Sequence, residues 1–539
     1  MAMRKMLFKL AKWASIIVVI AAVTFFAVRI YDIQRGPPLA VWHTYVPHEM
    51  HARELDTSNW DEYLAREAKI FDDVRTEVTQ KLDPADRVAL NRYFEGSPVY
   101  PGHFRQDFNR SFVLEPQGAP VGAVVLLHGL TDAPYSQRHI AETYRQHGFV
   151  AIVIRLPGHG TVPAGLTEAT WQDWAAATRL AVREARRRVG PSAPLHIVGF
   201  SNGGALAVDY ALDAISDAKL SQADRIILIS PMMGITRFAR FAGAAALPAI
   251  LPAFSKAAWL SILPEFNPFK YNSFPVNGAV QSFKLTEVLQ SKMRQSGRAD
   301  QLARLPPMLT FQSVMDFTVS TPAIINGLYA RLPRNGSEIV LFDVNRTVKF
   351  DTLLRPSADR ALSQLLPNGA RNYRTTVITN AGVPNGEEVE RVVEAGEVTG
   401  HDRVLGLAYP PGLYSLSHVA IPFPMTDSLY GLTPDAQEDF GLHLGALAPR
   451  GERNVLIASL DALLRASSNP FFSYMIERIE EGIDHSAPRA KSKEATSTTA
   501  STVPDIQNSI GMSGLAVRNS VEQILRFIHG ESMPEGESP

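Results

Sequence analysis

An α/β architecture, with a mainly parallel sheet covered by helices, is what this 539-residue sequence predicts. Three observations carry that expectation. From Phe112 onward, short apolar runs alternate with helical patterns, and strands that alternate with helices build parallel sheets. One run, residues 195–198, ends in Gly199-Phe200-Ser201-Asn202-Gly203, and helix formers follow from Ala205 to Leu212. Such a G-x-S-x-G turn between strand and helix holds its serine in a strained conformation, with the hydroxyl exposed at the helix N-terminus. Another run, residues 124–127, ends in His128-Gly129-Leu130, upstream of the serine.

Composition narrows the function. A hydrophobic fraction of 45% with 20% charged residues describes a globular protein with a large core, and the length allows more than one domain. A formal net charge of −1 gives no basic footprint for nucleic acid. With 0 cysteines, thiol catalysis, disulfides and thiolate metal sites are all excluded.

In chain order, Arg4, Lys5, Lys9 and Lys12 precede residues 13–28, which carry no charge, and Arg29 and Asp32 close the run. This is the pattern of a signal peptide or signal anchor. The run is slightly short for a membrane helix of about 17–25 residues, and Arg29 extends it by snorkelling. Phe25-Phe26-Ala27-Val28-Arg29 is too bulky for a cleavage site, so residues 1–30 are expected to be an uncleaved transmembrane anchor. The basic cluster puts the amino end in the cytoplasm and the body on the outer, periplasmic or extracellular side; secretion after cleavage is the alternative.

Residues 31–110 read as a juxtamembrane connector and helical pre-domain. A capping box Ser58-x-x-Asp61 opens a helix in which Tyr63, Leu64, Phe71, Val74, Val78 and Leu82 recur at helical spacing until Asp83-Pro84. The segment shows no chemistry, and its apolar stripe is expected to pack on the body.

Residues 111–424 carry the chemistry. Strands are expected at 112–114, 123–127, 150–155, 195–198 and 225–229, and helices at 137–147 and 170–188. Acyl transfer at a serine needs two backbone N–H donors for the oxyanion. Asn202, after the serine, supplies one, and Leu130, after His128-Gly129, supplies the other. Residues 231–306 break the alternation with Phe238, Phe241, Leu247, Ile250, Leu251, Phe254, Trp259, Leu260 and other apolar residues. Strands resume at 308–312 and 338–342.

His128-Gly129-Leu130, Arg155-Leu156-Pro157-Gly158-His159-Gly160 and Gly199-Phe200-Ser201-Asn202-Gly203-Gly204, in that order, make this chain resemble the α/β-hydrolase superfamily, within it the monoacylglycerol lipase and serine aminopeptidase group. The resemblance covers about residues 112–424. It implies the α/β-hydrolase fold, with residues 231–306 as a helical cap over Ser201. It also implies an acid after the strand at 308–312, hence Asp316 as the carboxylate that orients the histidine, with Asp343 as runner-up. The sequence departs from the family in inserting about residues 344–409 before the histidine. His418, among small and apolar neighbours, is the expected base. His401 in Gly400-His401-Asp402-Arg403 reads as a surface turn, and His159 as loop architecture. Serine at the elbow disfavours the relatives that use aspartate there, epoxide hydrolases and haloalkane dehalogenases.

Residues 425–484 are expected as a C-terminal helical extension, with helices at 454–465 and 471–483. Residues 485–504, rich in Ser, Thr, Ala and Lys, read as a disordered linker. Residues 505–539 hold a last short helix (Val517, Val521, Ile524, Leu525, Ile528) and a tail. The expectation is a membrane-anchored serine hydrolase of lipase or esterase type acting through an acyl-enzyme. Ser201, Asp316 and His418 form the triad, and no metal or organic cofactor is required. The expected partners are an ester or lipid substrate and the membrane, not nucleic acid; the oligomeric state stays open. Two alternatives remain. One is an aminopeptidase-like amidase, which needs acids such as Glu265 or Glu287 for a free amine. The other is a non-catalytic binding protein on the same fold.

Overall fold

The computed structural model describes residues 36–234, 252–295, 299–346, 353–380, 387–448 and 455–486, with scattered positions among the first 35. Its strands are β1 (Phe112–Leu114), β2 (Gly122–Leu127), β3 (Phe149–Ile154), β4 (Leu195–Phe200), β5 (Arg225–Ile229), β6 (Trp259–Ser261), β7 (Phe274–Pro275), β8 (Met308–Ser313), β9 (Glu338–Phe342), β10 (Arg374–Thr379), β11 (Glu387–Val393) and β12 (His401–Ala408). All but the β6–β7 pair form one sheet in the order β1-β3-β2-β4-β5-β8-β9-β10-β11-β12. From β3 to β10 neighbouring strands run parallel, and β1, β11 and β12 pair antiparallel at the edges.

The central strands are continuous apolar runs because helices cover both faces, as parallel sheets require. In β2, Ala123, Val125 and Leu127 enter one core with Trp174, Leu180 and Val182 of helix Trp171–Val189 and Leu206 and Leu212 of helix Asn202–Ser216. Val124 and Leu126 enter the opposite core with Ile140 and Tyr144 of helix Arg138–Gln146 and Met475, Ile479 and Ile483 of helix Phe472–Ser486. The extension after residue 425 therefore closes one face of the sheet, where burial of each large apolar side chain is worth about 1.5–3 kcal/mol.

The inserted residues 344–409, described at 344–346, 353–380 and 387–409, continue the sheet as β10, β11 and β12. β11 is disguised by its glutamates. Glu388 and Glu390 point inward, and Glu390 is satisfied there by Tyr474 Oη at 3.0 Å and by Arg403. His401 opens β12 rather than occupying a turn, and it is exposed. The cap is also not wholly helical. A 3-10 turn (Pro252–Ala258) and the β6–β7 hairpin precede helix Val276–Gln295. Phe238, Phe241, Leu247, Ile250 and Leu251 lie outside the described residues.

In the pre-domain, helix Trp60–Glu77 is capped one residue later than expected. Asn59 Oδ1 accepts the Glu62 N–H at 3.0 Å, and Glu62 returns a bond to the Asn59 N–H, which is the reciprocal box with Asn in place of Ser58. Tyr63, Val74, Val78 and Leu82 are buried. The segment expected to lack chemistry supplies two carboxylates, Glu49 and Glu67, to the buried Arg155 at 2.7 and 3.0 Å. Among the described residues, no helix is long and apolar enough to cross a membrane; part of the expected anchor at 13–28 lies outside them. Of the linker expected at 485–504, residues 485 and 486 instead end helix Phe472–Ser486 and the rest lies outside the described residues, as does the terminal helix within 505–539. Asn454, the first residue of the helix expected at 454–465, also lies outside them with 449–453; the described helix there, Leu460–Arg465, begins at a Ser459 cap.

Candidate active site

The elbow is built by close packing. At Ser201 φ is 54° and ψ is −112°, a region that L-residues avoid and that costs of order 1–3 kcal/mol. The turn closes because its glycines carry no Cβ. One at Gly203 would lie 2.2 Å from the Leu127 carbonyl oxygen, and one at Gly199 would lie 2.3 Å from the Gly203 oxygen. Both clashes are with backbone, which cannot move aside. Ser201 is left at the start of helix Asn202–Ser216, where the first N–H groups have no helical acceptor.

His418 lies in the loop after β12, and its Nδ1 donates to Asp316 Oδ2 at 2.9 Å. Both side chains are shielded, at 5% and 0% exposure. Asp316 also accepts Gln312 Nε2 at 3.2 Å and the Thr318 and Val319 N–H groups at 2.7 and 3.0 Å. Burial works to raise its pKa. The charge of His418 and these hydrogen bonds outweigh it and hold the carboxyl below its usual range. With Nδ1 committed, the imidazole presents Nε2, which has no partner among the described residues. The Phe200 ring, next to Ser201, packs on the His418 ring with centroids 5.1 Å apart. Asp343, the other acid considered, is held by Thr379 Oγ1 at 3.1 Å and the Arg346 guanidinium at 3.0 Å, apart from His418.

The loop at 128–132 is supported from below. His128 donates from Nδ1 to the Gly129 oxygen at 2.8 Å and accepts the Leu156 N–H on Nε2 at 3.0 Å. Asp132 accepts the Gly129 N–H at 3.1 Å, and the Tyr271 N–H reaches the Thr131 oxygen at 2.8 Å. Among the described residues the N–H groups of Leu130 and Asn202 have no acceptor, so both are available to an oxyanion. Next to Leu156, Arg155 donates to the His159 oxygen at 2.9 Å while Glu49 and Glu67 neutralise it. Burial pushes the His159 pKa down to about 3, and its Nδ1 faces the Pro157 oxygen at 3.1 Å, consistent with loop architecture.

Ser201, His418, Gly129 and Leu130 line one cavity of about 860 Å³, within the usual range for ligand sites of about 300–1,000 Å³. Its apolar wall comes from Phe200, Met232, Leu260, Leu263, Phe266 and Phe274. The C-terminal extension adds Ile457, Ala462 and Leu463, a contribution that sequence patterning does not reveal. Glu265 and Glu287, the acids considered for an amine, stand outside this lining. Glu265 is buried and spent on the Asn272 and Ser273 N–H groups at 3.0 and 2.8 Å, and Glu287 is exposed. Gln312, Lys270, Glu49 and Glu67 belong to no motif, and the pairing of the two glutamates with the motif residue Arg155 emerges only in three dimensions.

A strained elbow serine on a parallel sheet, in one cavity with a downstream histidine that is bonded to an aspartate, defines a class, and the family profile agrees with it. The profile of the alpha/beta hydrolase family matches residues 124–395, half of the chain, and the chain belongs to this family. It is similar to a thermostable monoacylglycerol lipase from Bacillus sp. (strain H-257), 34% identical over 95 residues. That match spans 18% of this chain and 36% of the lipase, about a third of the relative's length. Among solved structures, a soluble variant of monoglyceride lipase from Saccharomyces cerevisiae, in complex with a substrate analog, is similar at 14% identity. The alignment covers 48% of this chain and 92% of that one at a TM-score of 0.34. The monoacylglycerol lipase of Paleococcus ferrophilus is similar at 16% identity, covering 47% and 98%, with a TM-score of 0.32.

Proposed function

We propose that the protein is a serine hydrolase of carboxylic esters with apolar acyl chains, of carboxylesterase, monoacylglycerol lipase or lysophospholipase type. The observation that carries this reading is that His418, bonded to Asp316 at 2.9 Å, lines the same cavity as Ser201. Ser201 attacks the carbonyl carbon as His418 Nε2 takes its proton, and Asp316 holds the imidazolium in place. The N–H groups of Leu130 and Asn202 receive the oxyanion. His418 then protonates the leaving alcohol, and water, deprotonated by the same nitrogen, releases the acid from the acyl-enzyme. The apolar wall suits an acyl chain, because closing such a surface over the ester excludes water. With Glu265 and Glu287 outside the described lining, ester cleavage is favoured over an aminopeptidase-like reaction.

The same reading places the protein at a membrane through residues 13–28, with the catalytic body on the outer side. Its support is the uncharged run behind four basic residues, and the exposure of Trp13, Ile17, Val19, Ile20 and Val23. The test of function is hydrolysis of p-nitrophenyl esters of graded chain length against matched anilides. Esters of medium to long chains should turn over and anilides should not. Activity of the Ser201→Ala variant within tenfold of the parent would sink the assignment, since loss of such a serine costs on the order of 10⁶ in turnover.

A further inference from the structure

The cavity is apolar, but its charges are one-sided. Among the described lining residues, Lys270 and Arg465 are the cations and Asp132 is the carboxylate. Asp132 is 7% exposed and already accepts Ser136 Oγ at 2.6 Å and the Gly129 N–H at 3.1 Å. Lys270 is half-buried, and no carboxylate or hydrogen-bond acceptor among the described residues reaches its ammonium. Arg465 contacts Thr318 Oγ1 at 2.5 Å and meets no carboxylate there. A half-buried ammonium in an apolar wall, with Asp132 as a counter-charge beyond hydrogen-bond reach, is incompletely compensated. The consequence is visible: burial pushes the Lys270 pKa down, Asp132 opposes it, and Arg465 adds to it. Perturbed groups in a cleft mark functional positions when a specific ligand completes their charge.

Position says what that ligand is attached to. The Tyr271 N–H, one residue beyond Lys270, is bonded to the Thr131 oxygen at 2.8 Å, so Lys270 sits on the segment tied to the loop that carries Leu130. An anion held there belongs to the end of the substrate near the reacting carbonyl. We propose that this cavity takes amphiphilic esters bearing an anionic group, a phosphate or a carboxylate close to the scissile bond, and that Lys270, assisted by Arg465, holds that group. The proposal rests on the esterase reading for its chemistry and on the cavity alone for its binding.

The test separates the two. The full-length Ser201→Ala protein is titrated calorimetrically, below their micelle concentrations, with dodecyl phosphate, monododecyl succinate and the neutral 1-dodecylglycerol. At least one anion should bind at least tenfold more tightly than the neutral amphiphile, and the tighter of the two identifies phosphate or carboxylate as the head. Adding Lys270→Met should erase that preference, while Lys270→Arg should retain most of it, which excludes a folding defect as the cause. Equal affinities for the three amphiphiles, or a preference that survives Lys270→Met, would overturn the proposal. Hydrolysis of p-nitrophenyl laurate by the parent protein is followed in parallel. Loss of preference with hydrolysis intact refutes anion recognition alone; preference without hydrolysis refutes the esterase reading alone.

Discussion

Gly203 tolerates no side chain, because its missing Cβ is what lets the elbow lie against Leu127 and His128. Gly203→Ala should therefore cost more than the ordinary penalty of a helix-start substitution, and should be read as loss of soluble protein or a fall of several degrees in Tm. An unchanged Tm with full activity would mean that the turn is looser than its geometry. Asp316→Asn keeps the shape but offers an amide where Nδ1 of His418 needs an acceptor, and turnover should fall by about 10⁴ with little change in Tm. His418→Ala should be nearly as damaging, whereas His401→Ala, exposed on β12, should be neutral. Glu388 gives a separate test. Both its carboxylate oxygens are buried without partners among the described residues, and burial, with Asp343 nearby, raises its pKa to about 8. The folded state thus binds the extra proton, so its contribution is complete below about 4.5 and fades as pH rises toward 8. Stability of Glu388→Gln measured against the parent by urea titration should improve over that window, by up to about 1.4 kcal/mol per pH unit. A difference independent of pH would contradict it. At this scale, the strained turn at Ser201 was legible because the motif encodes its own geometry. The bonding of His418 to Asp316 was legible only through the order of groups that the family resemblance implies, and Gln312 not at all, since a strand-end glutamine has no signature.

Between elements, the Glu49–Arg155–Glu67 cluster joins the pre-domain to the loop beneath His128. Removing one partner of a buried ion pair leaves an uncompensated charge and costs about 3–5 kcal/mol. Glu67→Ala should approach that value in urea unfolding, because Glu67 also accepts the Ser111 N–H and hydroxyl. The effect should be on stability first and on kcat only through the loop; a variant as stable as the parent would show that the pre-domain is dispensable to the site. The parallel core strands were readable as unbroken apolar runs. β11 was not, because Glu-Glu-Val-Glu-Arg resembles a turn until Arg403 and Tyr474 satisfy Glu390. The pre-domain helix was readable from its stripe, with its cap misplaced by one residue, since Ser58 and Asn59 are both good caps and only the backbone decides.

For the whole molecule, sheet, elbow and cavity form a body, and the proposed reading has residues 1–30 add location and not fold. A protein lacking them should be active and recovered outside washed membranes. Retention in the membrane fraction would assign lipid binding to the body itself, and protease access to the body only from the cytoplasmic side would reverse the proposed topology. The fold was legible from alternation together with the three motifs, whereas the closing of the sheet face and of the cavity by the C-terminal extension was not, because apolar helices do not announce what they cover. The central claim is that Ser201 is an activated nucleophile. Incubating the folded protein with a fluorophosphonate ester and sequencing the labelled peptide tests it most directly. One label per chain on Ser201, lost in His418→Ala, is the predicted result; no label, or a label on another residue, would contradict the account.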